Sequence, residues 1–335
     1  MLWKLICFVS LMLLPLAGAS AKNEGSNENF PRVVLGVDGI GQPRNLPILV
    51  AERLGYFRAE SLTVTLVDAP GEPSPAALVK DRRADGAVAF YHHTFMNQTS
   101  EHQVTTSVLL MGGTTQLKLM VASRLRGKVK SPADLKGLKV YTGGTNSGKT
   151  TSTNWLLEHN GLSIRDYTPL APTSPGAMAH ALESGAADAI MAHEPDASYY
   201  KDSGAAFMLV DLESVEGTRH ALGSLYPATA LYLPRTYIAE HPDIVRRLVD
   251  ACRQAVAYIK THDAATIADR LPPKVVGKDR PAFVRLLAQD KRAFEIDGQM
   301  PADAARKEWK VMTALTPKYG AIDFADTFTN RFVSK

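Results

Sequence analysis

From Pro31 onward the chain alternates β-rich and helical stretches, and this alternation confines it to a parallel sheet with helices packed on its faces. Residues 32–37, 62–67 and 87–90 are β-rich runs, with helical patterns over 45–54 and 73–82 between them. Asn45 or Arg44 stands near the cap of the first helix, Pro47 fits its first turn, and Gly55 ends it. The pattern then recurs. Ala77-Leu78, Ala84-Asp85 and the run 87–90 match Ala181-Leu182, Ala187-Asp188 and the run 189–191, with spacing that differs by one residue. A repeated architecture without a duplicated sequence predicts two α/β lobes of similar design. A strand-like run at 229–233 precedes helical patterns at 242–261, 264–270, 280–294 and 301–315. Apolar residues such as Leu248, Cys252, Val256, Phe283 and Leu287, spaced among charges, mark helices laid on a core. Helices returning from the second lobe to the first would make the chain cross twice, leaving a cleft between lobes.

The N-terminus bears on where the protein works. Residues 1–21 hold one charge (Lys4), an apolar run over 5–16, Pro15, and small residues at Ala17, Ala19 and Ala21, the pattern of a cleaved export signal. Cleavage after Ala21 fits, with Ala19 as the alternative; the apolar run is short for a membrane anchor. Residues 22–30, polar and Asn-rich, are read as a disordered leader. Removing the signal takes Cys7 and lowers the formal charge of +4 by one. Cys252 is then the sole thiol, on a helical pattern, where a buried inert thiol is expected. No basic cluster with interleaved aromatics suggests nucleic acid.

The stretch 137–160, GLKVYTGGTNSGKTTSTNWLLEHN, runs from a short strand through a loop of small polar residues into a helix on which Trp155, Leu156 and His159 share a face. Such a loop offers the free N–H groups and positive dipole end of a helix start to an anion or polar ligand edge. Residues 143–150 also match the nucleotide-binding pattern of Gly, four residues, Gly-Lys-Thr, and 207–211 could supply a magnesium-binding Asp211. That pattern is short enough to arise by chance, and an exported protein meets no ATP supply.

Several segments together resemble the periplasmic substrate-binding proteins of ABC importers, in the nitrate, sulfonate and taurine branch. They are 47–66 (PILVAERLGYFRAESLTVTL, with Gly55-Tyr56-Phe57 intact and Ser61 in a usual Gly position), 130–140 (KSPADLKGLKV), 181–188 with the later Glu194-Pro195, and 234–243 (PRTYIAEHPD). The resemblance implies a two-lobed α/β fold of the second periplasmic-binding-protein type: a first lobe over 31–115, a second over 116–227, and a return over 228–335. It also implies a monomer that binds a small polar or anionic organic solute (sulfonate, carboxylate or pyrimidine-like) and docks with an inner-membrane ABC permease, without cofactor or catalysis. An enzyme of the thiamine-pyrimidine type on the same fold, or a ligand sensor, are the alternatives.

Ligands of doubly wound sheets sit at the carboxyl ends of strands, so residues just past each strand are the candidates. Asp38 and Gly39 follow the first strand, where Asp38 accepts from a ligand or caps the turn. Tyr91, His92 and His93 follow the third, offering a stacked ring or a donor. Thr114 and Thr115 fall where the resembled family crosses between lobes, as donors or as a hinge. Asn146, Ser147, Gly148, Thr150 and Thr151 form the loop and helix start, where relatives carry Gly-Ser and this chain reverses the pair; Lys149 could add charge. Glu194 follows the run 189–191, at a position where acid recurs in the family. Arg44, Arg219 and His220 read chiefly as surface charge. No metal-ligand spacing and no catalytic triad order is present.

Overall fold

The computed structural model describes residues 29–70, 73–99, 104–144, 147–170 and 174–333; the segment expected to be an export signal, most of the expected leader and Asn146 lie outside them. Among the described residues ten strands form two five-stranded sheets. The first contains β1 (Arg32–Val37), β2 (Thr63–Asp68), β3 (Gly86–Phe90), β4 (Thr105–Leu110) and β10 (Thr229–Pro234), in the order β2-β1-β3-β10-β4. The second contains β5 (Leu117–Ala122), β6 (Lys139–Tyr141), β7 (Thr168–Leu170), β8 (Ala189–Ala192) and β9 (Ala206–Leu212), in the order β7-β6-β8-β5-β9.

The two orders correspond strand for strand, and β3 and β8, the recurring runs, hold the same central place. The sheets are mixed, not parallel throughout. β10 runs antiparallel to β3 and β4, and β5 runs antiparallel to β8 and β9. Each reversed strand is the first one the chain forms after entering its sheet from the other, so no crossover helix has turned it to match its neighbours. β5 and β7 are strands for which the sequence pattern raised no expectation.

Local chemistry sets the helix starts. Ser74, Ser147, Ser174 and Ser214 each accept a hydrogen bond from the N–H three residues on, capping the helices Pro75–Lys80, Gly148–His159, Pro175–Ser184 and Val215–Leu222. Ser61, where the resembled branch has Gly, adopts a φ of 54°, the left-handed backbone that glycine enters without strain. Helix Pro242–Thr261 lays Val245, Leu248, Val249, Cys252 and Ile259 on the core beneath the first sheet and packs against helix Leu46–Arg53. Truncating one of these, such as Leu248→Ala, costs about 2–5 kcal/mol. Trp155 and Leu156 are buried in the second lobe, but His159, expected on their face, is exposed and meets Lys307. The pattern over 280–294 divides into a helix, Arg280–Asp290, and a tight turn, Lys291–Phe294.

Candidate functional site

The loops after β1, β3, β6 and β8 converge where the two sheets face each other. After β1 the chain turns at Gly39, whose φ is 73°. Buried Asn45 ties this turn by donating to the carbonyls of Asp38 and Gly39 at 2.7 and 2.8 Å. Arg44 donates to the Asp38 carbonyl at 2.9 Å and to its carboxylate at 2.8 Å, and its guanidinium lies 5.2 Å from the Phe90 ring centre. Asp38 is therefore occupied in positioning Arg44. The Nε of Arg44 is buried without a partner among the described residues.

Facing Arg44 is the start of helix Gly148–His159. The Ser147 hydroxyl accepts from Thr150 N–H at 3.2 Å, and Thr150 Oγ1 donates back to the Gly144 carbonyl at 2.7 Å. Thr151 Oγ1 donates to the Ser147 carbonyl at 3.1 Å. These hydroxyls shape the loop, while the Gly148 and Lys149 N–H groups, first in the helix, have no intrahelical acceptor. A Cβ on Gly148 would lie 3.3 Å from the Phe90 ring, so the lobes meet here through a residue without a side chain. Lys149 Nζ stands 5.7 Å from the Tyr141 ring centre. Burial lowers the ammonium's pKa against the pull of Asp196, and no carboxylate pairs with it among the described residues.

These groups border a chamber of about 260 Å³ lined by Arg44, Phe90, His92, His93, Thr115, Leu117, Gly143, Ser147, Gly148, Lys149 and His193. Burial pulls His92 to about 4, His93 to about 3 and His193 to about 4, so all three rings are neutral at pH 7. Phe90 stacks on His92 with ring centres 5.4 Å apart. His193 Nδ1 donates to the Gln116 carbonyl at 3.0 Å, which leaves its Nε2 as an acceptor. Two cations, a helix start and neutral rings make the chamber electropositive.

A second chamber of about 190 Å³ adjoins the first and shares Arg44, Thr115 and His193 with it. Leu46, Leu49, Leu271, Phe283 and Leu287 make most of it apolar, with Glu194 and Asp290 on its wall. Glu194 pairs with Lys118 and accepts from Ser198 N–H at 3.1 Å. Burial opposes its charge, but those partners hold its carboxyl below the usual range. Asp290 forms no ion pair among the described residues, and burial beside Glu213 and Glu194 outweighs the pull of Lys118 and Arg292 and pushes it up to about 7.

Of the candidates, His92, Ser147 and Gly148 come together around the first chamber, and Glu194 borders the second. Tyr91 does not reach either: it is fully buried, and its hydroxyl bonds Thr327 at 2.7 Å. Phe90 is the aromatic residue that faces the chamber. Thr114 donates to the Glu213 carbonyl at 3.1 Å in the crossing segment, whereas the Thr115 hydroxyl, without a partner among the described residues, lies at both chambers. Arg219 and His220 are exposed. Sequence reasoning set Arg44 aside as surface charge and passed over His193, although the repeat places it after β8 as Tyr91 follows β3. The nucleotide-binding pattern does form strand, loop and helix, but Thr150 is turned into its own loop. Asp211, on β9, is separated from β6 by β8 and β5 and bonds Glu213 N–H.

The model of the NMT1/THI5-like family matches residues 42–265. No curated protein matches the chain. Among solved structures, a protein of Bordetella bronchiseptica RB50 superposes with a TM-score of 0.69 at 26% identity, covering 90% of this chain and 95% of that one. The periplasmic sulfonate-binding protein SsuA of Methylobacillus flagellatus KT gives 0.70 at 18%, covering 91% and 93%. The alkanesulfonate-binding protein SsuA of Xanthomonas axonopodis pv. citri, bound to MOPS, gives 0.61 at 20%, covering 89% and 98%. The two-sheet architecture is thus the second type of periplasmic-binding-protein fold.

Proposed function

The chain belongs to the NMT1/THI5-like family, and from that premise we propose that it is a periplasmic solute-binding protein that closes its lobes on a small organic anion and delivers it to an ABC permease. The observation that carries this reading is the meeting of Arg44 and Lys149, from opposite lobes, across one chamber at a helix start. An anion there bridges both lobes and binds the closed form better than the open one, and that difference in affinity drives closure. No covalent chemistry is required of the site.

The adjoining apolar chamber refines the ligand class. Its 190 Å³ exceeds an apolar cavity of about 150 Å³ that holds benzene. A carboxylate or sulfonate carrying one ring or a short alkyl chain places its head between Arg44 and Lys149 and its tail among Leu46, Leu49, Phe283 and Leu287. His193 Nε2 can accept from a hydroxyl or N–H on such a ligand. The fold neighbours named for sulfonate and alkanesulfonate binding agree with this class.

A thermal-shift screen of the exported chain tests it, with benzenesulfonate, hexanesulfonate, benzoate, nitrate, choline, and ATP with magnesium. A ligand of the folded state raises the melting temperature with concentration. The expected result is a shift with the tailed anions that exceeds the shift with nitrate, and none with choline or ATP. A shift with choline or ATP alone overturns the reading.

A further inference from the structure

Behind the first chamber lies an acid away from water. Glu308, on helix Ala302–Leu315, is 0% exposed; its Oε1 is 3.2 Å from His92 Nδ1, and its Oε2 has no hydrogen-bond partner among the described residues. The groups facing it are His92, from the loop after β3, Tyr226, before β10, and Tyr91. The Tyr226 hydroxyl is close enough to act on Glu308, but neither it nor Oε2 completes a well-formed bond. No lysine or arginine pairs with Glu308 among the described residues.

A carboxylate buried among neutral groups bears a desolvation cost that protonation removes. Burial accordingly raises Glu308 far above the ordinary carboxyl range and disfavours a charge on His92. With both groups neutral, an acid hydrogen on Oε2 would go unbonded, whereas on Oε1 it is given to Nδ1, and the imidazole then carries its own hydrogen on Nε2. The two ring nitrogens lie on different edges. Nδ1 faces Glu308, and His92 is one of the residues lining the chamber of Lys149 and Ser147. Phe90, stacked on the ring, holds its plane.

We propose that Glu308 is a positioning residue, a buried protonated acid that donates to His92 Nδ1 and thereby fixes His92 Nε2–H as a hydrogen-bond donor in the anion chamber. It rests on the reading of that chamber as an anion site. His92 then adds a third donor to Arg44 and Lys149 without adding charge, whereas His193 presents a lone pair.

The test starts with the unaltered protein. Long-range proton–nitrogen NMR of the nitrogen-labelled chain reports the tautomer of His92, assigned by its loss in His92→Gln. The expected result is the Nε2–H form at pH 7; the Nδ1–H form, with Glu308 ionised and accepting, overturns the proposal. Calorimetry with benzenesulfonate adds the functional readout. Glu308→Gln, whose amide N–H still donates to Nδ1, should retain the tautomer and bind within about twofold of the unaltered chain. Glu308→Met should mix the tautomers and weaken binding roughly tenfold, the scale of one hydrogen bond to a charged group. Wild-type affinity in a folded Glu308→Met variant overturns the proposal. Should that variant fail to fold, His92→Gln, which keeps a donor, must bind more tightly than His92→Phe. If benzenesulfonate, hexanesulfonate and benzoate all fail to bind any form of the protein, the proposed function fails, and the tautomer still decides the role of Glu308.

Discussion

Lys118 Nζ lies 3.0 Å from Glu213 Oε1, and the same ammonium pairs with Glu194; the three side chains are 14%, 2% and 7% exposed. One cation is thus shared by two carboxylates close to where the chain crosses between sheets, and Arg292 adds a second at 3.6 Å from Glu213 Oε2. A buried pair broken from one side leaves an uncompensated charge, so Lys118→Met should destabilise the protein by about 3–5 kcal/mol in urea unfolding. Adding Glu194→Gln and Glu213→Gln should recover most of the loss. An unchanged midpoint in the single variant would show that the carboxylates find other partners.

Asp290 yields a pH prediction. The groups facing it are Glu213, Glu194, Lys118 and Arg292, and its carboxyl is pushed up to about 7 from an ordinary 3.8. Between these values the unfolded chain releases a proton that the folded chain retains, so this residue lowers stability as pH rises from about 4 to about 7, with no further loss above that. Asp290→Asn removes the effect. The stability gap between variant and wild type should therefore widen across that window, by at most roughly 1.4 kcal/mol per pH unit, and then level off. A gap that stays constant from pH 4 to 8 refutes the shift.

Arg44 and Lys149 are expected to act on ligand binding more than on folding. Charge-assisted hydrogen bonds contribute about 1.5–3 kcal/mol, so Arg44→Met or Lys149→Met should weaken binding of an organic sulfonate by roughly 10- to 100-fold. Titration calorimetry measures this, with the melting temperature of the unliganded protein as the control. Unchanged affinity in Lys149→Met would remove the anion from the helix start.

Gly148 sets two effects against each other. Alanine in the middle of a helix is more stable than glycine by roughly 0.5–1 kcal/mol, an upper bound at this first helical position, yet a Cβ here would crowd Phe90 across the cleft at 3.3 Å. Gly148→Ala should leave the unliganded melting temperature equal or higher while reducing affinity. Phe90→Leu in the same chain should restore part of that affinity; equal loss in the single and double variants would place the crowding elsewhere.

Much of the fold is legible in the residues because its signals are local. Apolar runs such as 32–37, serine caps and Gly55 need only their neighbours to be understood, and helix 242–261 falls where its apolar spacing places it. Strand direction is not local. β5 and β10 run antiparallel to their neighbours for reasons of connectivity, which no window of sequence contains.

The site is less legible for similar reasons. Successive residues of a strand point to opposite faces, so an error of one position exchanges Phe90, at the chamber, for Tyr91, in the core. Lys118 meets Glu194 and Glu213, and His92 meets Glu308, through the folded chain alone. Arg44 and Asp38 are near neighbours, but a charge on a loop looks solvated until its orientation is known. Ser147 and Gly148 could be found because a helix start is both a sequence signal and a physical site.

In the first sheet β4 has β10 as its sole neighbouring strand among the described residues, and β10 is made after the whole second sheet. Synthesised or exported from its N-terminus, the chain can assemble its second sheet while β4 still waits for a partner. The half that begins first is completed last, and a chain cut before Thr229 would carry a finished second sheet beside a first one whose edge strand β4 is parted from β3.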